Sequence, residues 1–370
     1  MTSPRPIILR WSRFKPDSNG TGPEKRTSQI TELIASLGFE LEEMHPAANF
    51  GKLRTRIAGL VARLQAGSHA SVDGAGIGLL GYRYLFYRNA ISRHHGLRIL
   101  IWETTYDTLL PKMARKAGYR ILALPHNLES LVSEHVFSRP SYDPSVDLGS
   151  EVKRLKKSDA IFTISKEERW FLEARGLSVG YLPYFPDSIL ASECGYIRKL
   201  RIARTASDGS VPGPLLLLGA AYNPATLRGM QLQLSRLASL GASCPSVVVA
   251  GPETDSKLGS FSSSRVNVLG RIPREHLVEL LISCKAMLIH TAAGAGAVTR
   301  IPEALLSGVP VIANFNASRD QHGTRGIASY ETEGEFLSQC RTVHAIPDAP
   351  CKPTSEIRRF QLRLREMAGL

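Results

Sequence analysis

Short apolar runs alternate along the chain with longer segments whose apolar residues recur at helical spacing. Runs such as PLLLLG, SVVVAG and AMLIH have the length of buried parallel strands. The segment 26–37 carries apolar residues at the i, i+3, i+4 and i+7 positions of a helix. Because strands and helices alternate in two separate series, the pattern predicts an α/β protein with two domains, each a parallel sheet with helices on both faces. Ligands of such sheets bind outside the carboxyl ends of the strands.

The two series predict the following elements. The first contains a helix at 26–37 and strands at 6–11, 39–45, 97–103, 119–126, 160–165 and 179–184. The second contains helices at 225–240 and 273–284 and strands at 215–219, 246–251, 266–270 and 286–290. Between 186 and 213 the periodicity fades into a mixture of charge, Ser, Gly and Pro, which is typical of a connection between domains.

The segment 290–312 carries the most chemical information. It reads as a strand, a loop, a helix that begins near Ile301 and a second strand, with Gly308 at the helix exit. A helix N-terminus offers free N–H groups to an anion, Arg300 adds a full charge, and Glu303 can accept hydrogen bonds from hydroxyls. An anion beside a diol describes a nucleotide sugar, whereas the alternative is a plain βαβ turn without a ligand. The loop consists of small residues that let a ligand approach the backbone, among them Gly294, Ala295 and Gly296.

The run 294–311, GAGAVTRIPEALLSGVPV, resembles the donor-site signature of GT-B glycosyltransferases, and within them the retaining group called glycosyltransferase family four. The resemblance implies an α/β fold with two Rossmann-like domains that face each other across a cleft. It also implies that Glu303 holds the ribose hydroxyls and that Arg300 lies near the diphosphate. The common form of the signature has a second glutamate eight residues before the first, and this chain has Ala295 there. The resemblance is loose over 119–186 and firmer over 215–314.

The run 215–229, LLLLGAAYNPATLRG, resembles the first strand and loop of the donor domain of that family. The resemblance implies a donor-binding role for this segment, including Gly219 and Asn223, and a diphosphate contact for Arg228. Asn223 followed by Pro224 also forms a good start for a helix. The alternative for Arg228 is an arginine on a helix surface.

Three features of the first domain follow predicted strands and should face the cleft. The loop with Asn19, Gly20 and Gly22 could admit an acceptor, and Glu103 follows the strand RILIW. His126 follows RILAL, at a place where a histidine of the family often meets the donor sugar. The resemblance therefore implies that His126 is a catalytic hydrogen-bond donor, and the alternative is a histidine satisfied by the backbone.

The net charge of +13 allows three uses, namely binding of nucleic acid, of an anionic membrane or of an anionic donor. No usual nucleic-acid motif is present, so we expect no nucleic-acid partner. In 52–64 the apolar residues share one helical face and the basic residues lie largely off it, and in 81–98 tyrosines interleave with arginines. Such stretches suit either an anionic membrane surface or the packing of helices within the protein, and both readings stay open. For the segment 356–367 we expect packing.

The sequence also limits the location and the redox state. Its five cysteines contain no CxxC pair, which argues against a disulfide framework or a zinc site. The N-terminus lacks the apolar core of a signal peptide, and no apolar run approaches the ~20 residues that span a bilayer. We therefore expect a cytoplasmic location, with a peripheral position at the inner face of the membrane as an open second reading.

The resemblance implies a glycosyltransferase that moves a sugar from a nucleoside diphosphate sugar with retention of configuration. The acceptor is unidentified, and a lipid-linked or envelope glycan precursor is one candidate. No Asp-x-Asp motif stands in a loop, so we expect no metal and no cofactor. One alternative is a GT-B-like partner subunit or nucleotide-sugar-binding protein without catalysis, which Ala295 motivates, and another is a nucleotide-sugar epimerase.

These expectations give a division of the chain. An acceptor-side domain covers 1–185 and the connection covers 186–213. The nucleotide-sugar-binding domain covers 214–345, and 346–370 forms a tail whose helix packs back towards the N-terminal domain.

Overall fold

The structure, a computed structural model, describes residues 5–44, 50–66, 76–103, 105, 109–131, 144–208, 213–292, 296–321, 323–343 and 345–370. Gly294 and Ala295 of the predicted donor loop and His45 of a predicted strand lie outside these ranges. The chain divides into two compact units. The first unit comprises Met1–Tyr184 with Pro353–Leu370, and the second unit comprises Phe185–Lys352.

The first unit contains a parallel sheet of six strands in the order β2-β1-β3-β4-β5-β6. All six lie within or overlap the predicted segments. The strands are β1 (Ile7–Trp11), β2 (Glu40–Glu43), β3 (Leu97–Trp102), β4 (Arg120–Ala123), β5 (Ala160–Thr163) and β6 (Gly180–Tyr181). The helices are α1 (Gly22–Ala35), α2 (Lys52–Ala66), α3 (Ile77–Arg93), α4 (Leu109–Lys116), α5 (Pro144–Leu155), α6 (Lys166–Ala174) and, at the end of the chain, α14 (Thr354–Ala368).

Neighbouring residues of each strand enter different cores on the two faces of this sheet. Leu9 and Leu100 belong to one cluster, and Ile8 and Ile99 belong to the other. This alternation is the pattern of a sheet buried on both faces, as parallel sheets require. The last helix, α14, covers one face of the sheet, where Phe360 is fully buried.

The second unit contains a parallel sheet in the order β12-β11-β10-β7-β8-β9, which is the strand order of a dinucleotide-binding fold. Its strands are β7 (Leu215–Leu218), β8 (Val247–Ala250), β9 (Val266–Val268), β10 (Ala286–Ile289), β11 (Val311–Asn314) and β12 (Ile327–Tyr330). Its helices are α7 (Ser188–Asp208), α8 (Pro224–Ala238), α9 (Thr254–Leu258), α10 (Arg274–Ser283), α11 (Arg300–Leu306), α12 (Phe315–Ser318) and α13 (Glu333–Thr342).

The segment 186–213, expected as a connection, contains the 21-residue helix α7 of the second unit. Its periodicity is weak because a buried arginine stands among its inward-facing residues. Arg201 is 1% exposed and donates to the carbonyl oxygens of Leu281 at 2.6 Å, Cys284 at 2.9 Å and Gly308 at 3.0 Å. These carbonyls lie just past or near the ends of α10 and α11, where helices leave acceptors unpaired. Arg201 thus links α7 by hydrogen bonds to the ends of α10 and α11.

Across the described ranges, every helix is too short or too polar to cross a lipid bilayer.

Candidate functional site

The strand order of the second sheet reverses between β7 and β10. These two strands are neighbours in the sheet although they are not consecutive in the chain. Crevices for ligands form outside the carboxyl ends of the strands at such a point. Gly219 follows β7 there, and His290 and Thr291 follow β10. The predicted donor segments 215–229 and 290–312 therefore meet at the switch point of this sheet.

The turn from β7 into α8 is fixed by its own hydrogen bonds. The Oδ1 atom of Asn223 accepts the backbone N–H of Thr226 at 3.0 Å, so Asn223 acts as the predicted N-cap. A Cβ atom at Gly229 would lie 2.0 Å from the carbonyl oxygen of His290, which shows how closely α8 approaches the end of β10. Arg228 lies on the exposed side of α8.

Arg300 reaches the carboxyl end of β7. Its Nη1 atom donates to the carbonyl oxygen of Leu218, and a Cβ atom at Gly219 would lie 2.9 Å from that nitrogen. Burial lowers the pKa of the Arg300 guanidinium, and the charge of Glu303 opposes this effect. Glu303 is half-buried in the first turn of α11. Since α11 has only 7 residues, the charge of Arg300 rather than a helix dipole dominates the local field.

The loop that leads into α11 is held by groups that the sequence did not single out. Asn314 accepts the N–H of Thr291 and donates to its carbonyl oxygen, both at 2.9 Å. Arg319 donates to the carbonyl oxygen of Gly296 at 2.6 Å, and Gly296 has a positive φ of 76°. These residues follow or end β11, the next strand of the sheet, and their position at a strand end was the only signal in the sequence.

His290, which follows β10, carries a second unforeseen feature. Its Nδ1 atom lies 2.9 Å from the Tyr330 hydroxyl. Burial, together with the positive charge of Arg236, lowers the pKa of His290 to about 4. The imidazole is therefore neutral at physiological pH.

In the first unit, the Glu103 carboxylate is fully buried at the carboxyl end of β3. Its Oε2 atom accepts the Thr27 hydroxyl at 2.7 Å and faces Nε2 of His126 at 3.1 Å, and its Oε1 atom lies 3.5 Å from Nη1 of Arg10. Burial alone would raise the pKa of Glu103, but the hydrogen bond from His126 and the charge of Arg10 outweigh it and hold the pKa below its ordinary value. Glu103 is thus ionised and brings His126 and Thr27 together.

His126 is 5% exposed and stacks at a tilt against Phe14, with 5.3 Å between ring centroids. Its Nδ1 atom is buried, and no hydrogen-bonding atom of the described residues contacts it. A buried polar atom without a partner is costly, so this nitrogen marks a place where a polar ligand group would be stabilised.

The loop after His126 is anchored by carboxylates of two helices. Glu168 of α6 accepts the N–H of Leu128 at 2.7 Å, and Glu151 of α5 accepts the hydroxyl of Ser130 at 2.5 Å. Ser165 caps α6 by accepting the N–H of Glu168 at 3.3 Å. The carboxylate of Glu168 therefore holds the loop after His126 in place through its hydrogen bond with Leu128.

The predicted acceptor loop is closed by local hydrogen bonds. Asp17 accepts the N–H of Asn19 at 2.8 Å through its side chain and the N–H of Gly20 at 3.2 Å through its carbonyl oxygen. Gly22 is the first residue of α1. The loop thus has a defined shape, with the side chain of Asn19 exposed.

Within the described ranges, no group of three or more His, Cys, Asp or Glu side chains is arranged to hold a metal ion.

No protein-family model matches the chain, and no curated protein sequence matches it. Solved structures do match. Sucrose-phosphate synthase from Thermosynechococcus elongatus has a TM-score of 0.64 at 12% identity, over 99% of each chain. HepE of Anabaena, in complex with UDP and glucose, has a TM-score of 0.59 at 11% identity, over 99% of each chain. UDP-GlcNAc 2-epimerase from Methanocaldococcus jannaschii has a TM-score of 0.53 at 11% identity, over 97% of this chain and 99% of the other.

Likeness at such low identity concerns the fold. Together with the two parallel six-stranded sheets, it confirms the predicted fold class: the chain shares the fold of GT-B glycosyltransferases.

Proposed function

We propose that this protein transfers a sugar from a nucleoside diphosphate sugar to an acceptor hydroxyl. The observation that carries the proposal is the position of Arg300, whose guanidinium contacts the end of β7 beside Gly219, with Glu303 one turn further along α11. A cation and a carboxylate at the switch point of a dinucleotide-type sheet suit a diphosphate and a ribose.

The donor would be held chiefly by the second unit. Glu303 accepts hydrogen bonds from the ribose hydroxyls, and Arg300 and Arg228 bind the diphosphate. Burial removes solvent from the guanidinium of Arg300, and a phosphate oxygen would restore part of the lost solvation. The small residues let the donor approach the backbone, and they are Gly219, Gly294, Ala295 and Gly296.

In the reaction, the bond between the sugar C1 and the β-phosphate oxygen breaks, a bond from the acceptor oxygen to C1 forms, and the proton of the acceptor hydroxyl passes to the departing phosphate. The departing diphosphate gains negative charge, which Arg300 and Arg228 would stabilise. This supports a reaction that needs no metal ion. Retention of configuration and a cytoplasmic location belong to the proposal through the family resemblance.

We assign the catalytic contact in the first unit to His126. Because Nε2 faces Glu103, Nδ1 is the ring nitrogen that can meet a sugar or acceptor hydroxyl once ligand entry uncovers it. It accepts a proton when the ring is neutral and donates one when the ring is charged. Asn19, Gly20 and Gly22 stay candidates for contact with the acceptor.

Two other functions use the same donor site. An epimerase, favoured by the likeness to UDP-GlcNAc 2-epimerase, would form product from the nucleotide sugar alone. A nucleotide-sugar-binding partner without catalysis, favoured by Ala295, would bind the donor but neither transfer nor hydrolyse it. Proton NMR of the sugar products after incubation with and without candidate acceptors separates all three, because epimers share one mass but differ in their ring-proton couplings.

The first test is thermal stabilisation by UDP-, GDP-, ADP- and dTDP-sugars. A ligand that binds only the folded protein raises the melting temperature, so one nucleotide class should shift it. The shift should vanish in Glu303→Ala and persist in Glu279→Ala, an exposed glutamate of α10 in the same unit. An equal shift in both variants would refute the assigned donor site.

A further inference from the structure

The helix α2 turns its large apolar side chains away from the protein. Leu53 is 74% exposed, Ile57 55%, Leu60 54% and Leu64 84%. At about 100° of rotation per residue, these four side chains share one side of the helix, and the partly exposed Val61 lies at its border. Large hydrophobic residues in contact on one exposed face usually mark a binding surface. We call this set of five residues the leucine face.

The opposite side of α2 packs on α3 through small residues. Ala58 and Ala62 are buried there. A Cβ atom at Gly59 would lie 2.0 Å from the carbonyl oxygen of Ile77, and one at Gly81 would lie 1.7 Å from that of Thr55. This close backbone contact fixes the rotation of α2, so the leucine face points outward as a consequence of how the two helices fit.

Basic residues border the leucine face on both sides. By the same rotation, Lys52, Arg56 and Arg63 lie along one border and Arg54 lies along the other. Neither α2 nor α3 contains an aspartate or a glutamate. An apolar face between two cationic borders is the arrangement of helices that lie in the plane of an anionic membrane.

The charges favour a lipid surface over a second copy of the chain. Two copies joined through this face would bring their cationic borders together, and the two helices offer no carboxylate to neutralise them. Anionic lipid headgroups supply that neutralisation, and each Lys or Arg near the surface adds to the attraction.

We propose that α2 docks the first unit on an anionic bilayer, with the leucine face inserted at the level of the headgroups. The proposal goes beyond the donor chemistry, because it depends on α2 alone. A helix of this kind sinks about 5–10 Å into the boundary between headgroups and acyl chains, with its axis parallel to the membrane. Arg54 and Arg56 then lie at the depth of the phosphates.

The test is sedimentation of the full chain with vesicles of phosphatidylcholine alone and of phosphatidylcholine mixed with phosphatidylglycerol. We expect binding to the anionic vesicles that weakens as salt increases. The double variant Leu60→Ser/Leu64→Ser should lose about tenfold or more in affinity, because two side chains no longer bury in the membrane. Arg56→Gln/Arg63→Gln should bind more weakly at low salt and depend less on salt.

The matched control is Leu362→Ser, which replaces a leucine that is 48% exposed on α14 of the same unit. It should bind vesicles like the unchanged protein. Circular dichroism and the thermal shift with a nucleotide sugar check that each variant folds and keeps its donor site, so a failure here is distinguishable from a failure of the donor assignment.

Absence of binding to anionic vesicles at low salt would overturn the proposal, as would equal binding by the Leu60/Leu64 variant and the control. Sedimentation velocity tests the alternative that the leucine face joins two copies of the chain. A dimer that the Leu60/Leu64 variant abolishes would assign the leucine face to self-association and would also overturn the proposal.

Discussion

The carboxylate of Glu103 orients the imidazole of His126, whose Nε2 atom lies 3.1 Å from Glu103 Oε2 inside the first unit. Thr27 donates to the same oxygen at 2.7 Å, so the carboxylate itself is held in place. This arrangement leaves Nδ1 of His126 as the atom without a partner among the described residues.

We predict that His126→Ala lowers kcat about 10²-fold, a loss typical of removing a group that handles a proton in the transition state. Glu103→Gln should lower kcat by about tenfold or more, because the amide keeps the shape but loses the charge that orients the ring. Donor affinity should change little in both variants, since the proposed contacts to the diphosphate and the ribose belong to the second unit. Steady-state kinetics with calorimetric donor binding would measure both. A loss confined to donor affinity would contradict the catalytic assignment.

Replacing two helical glycines by alanine should change the free energy of unfolding in opposite directions. Gly229→Ala places a Cβ atom 2.0 Å from the His290 carbonyl oxygen, and relief requires a shift of α8, so we expect a loss of about 1–3 kcal/mol in the free energy of unfolding. Gly195→Ala on α7 meets open space and should gain about 0.5–1 kcal/mol from helix propensity. Urea denaturation of both variants gives the two signs. A gain in stability for Gly229→Ala would contradict the close contact of α8 with the end of β10.

Arg201 should contribute more to stability than any exposed arginine of α7. Replacement by methionine leaves the carbonyl oxygens of Leu281, Cys284 and Gly308 without their buried donor, which should cost about 3 kcal/mol. Arg204→Met, at an exposed position of the same helix, should change stability by less than about 0.5 kcal/mol. Chemical denaturation of both variants tests this difference. Similar effects at the two positions would argue against the buried role of Arg201.

His290 makes the stability of the second unit depend on pH. Its pKa is lowered from 6.5 to about 4 in the folded state, so between these values the unfolded chain binds more protons. The free energy of unfolding therefore rises as pH increases from about 4 to about 6.5, and levels off above.

The variant His290→Asn should show a flatter profile over this interval, because its side chain does not titrate. His276→Asn on α10 is the control for the change of residue type. Unfolding curves at several pH values provide the comparison. Identical slopes for the His290 variant and the unchanged protein would show that His290 is not the group responsible.

Features that depend on neighbours in the sequence could be predicted. The apolar runs locate the strands, Asn223 caps α8, and Gly308 has the left-handed φ of 74° that a helix exit suggests. The signature 294–311 could likewise place Arg300 and Glu303 on one short helix, because their spacing is local.

Features that join segments far apart in the sequence could not be predicted. The sequence places Glu103 and His126 at strand ends on the same edge of the sheet, but their contact with each other and with Thr27 of α1 joins three separate elements and appears only in the structure. The helix α7 was not predicted, because the partners that allow Arg201 to be buried lie 80 to 107 positions further along the chain. The leucine face also required the structure, since an amphipathic pattern is the same whether the apolar side faces the core or solvent. In α3 the aromatic residues Phe86 and Tyr87 are buried, which agrees with the second interpretation of the segment 81–98, the packing of helices within the protein.

The most direct measurement for the central claim is calorimetric titration of the protein with the nucleoside diphosphate sugar that stabilises it most. The account predicts saturable binding at one site, a loss of at least about tenfold in affinity in Glu303→Ala and in Arg300→Gln, and no loss in Glu279→Ala. Binding of the same strength in all four proteins would contradict the account, because the donor would then bind at a place that neither Arg300 nor Glu303 contacts.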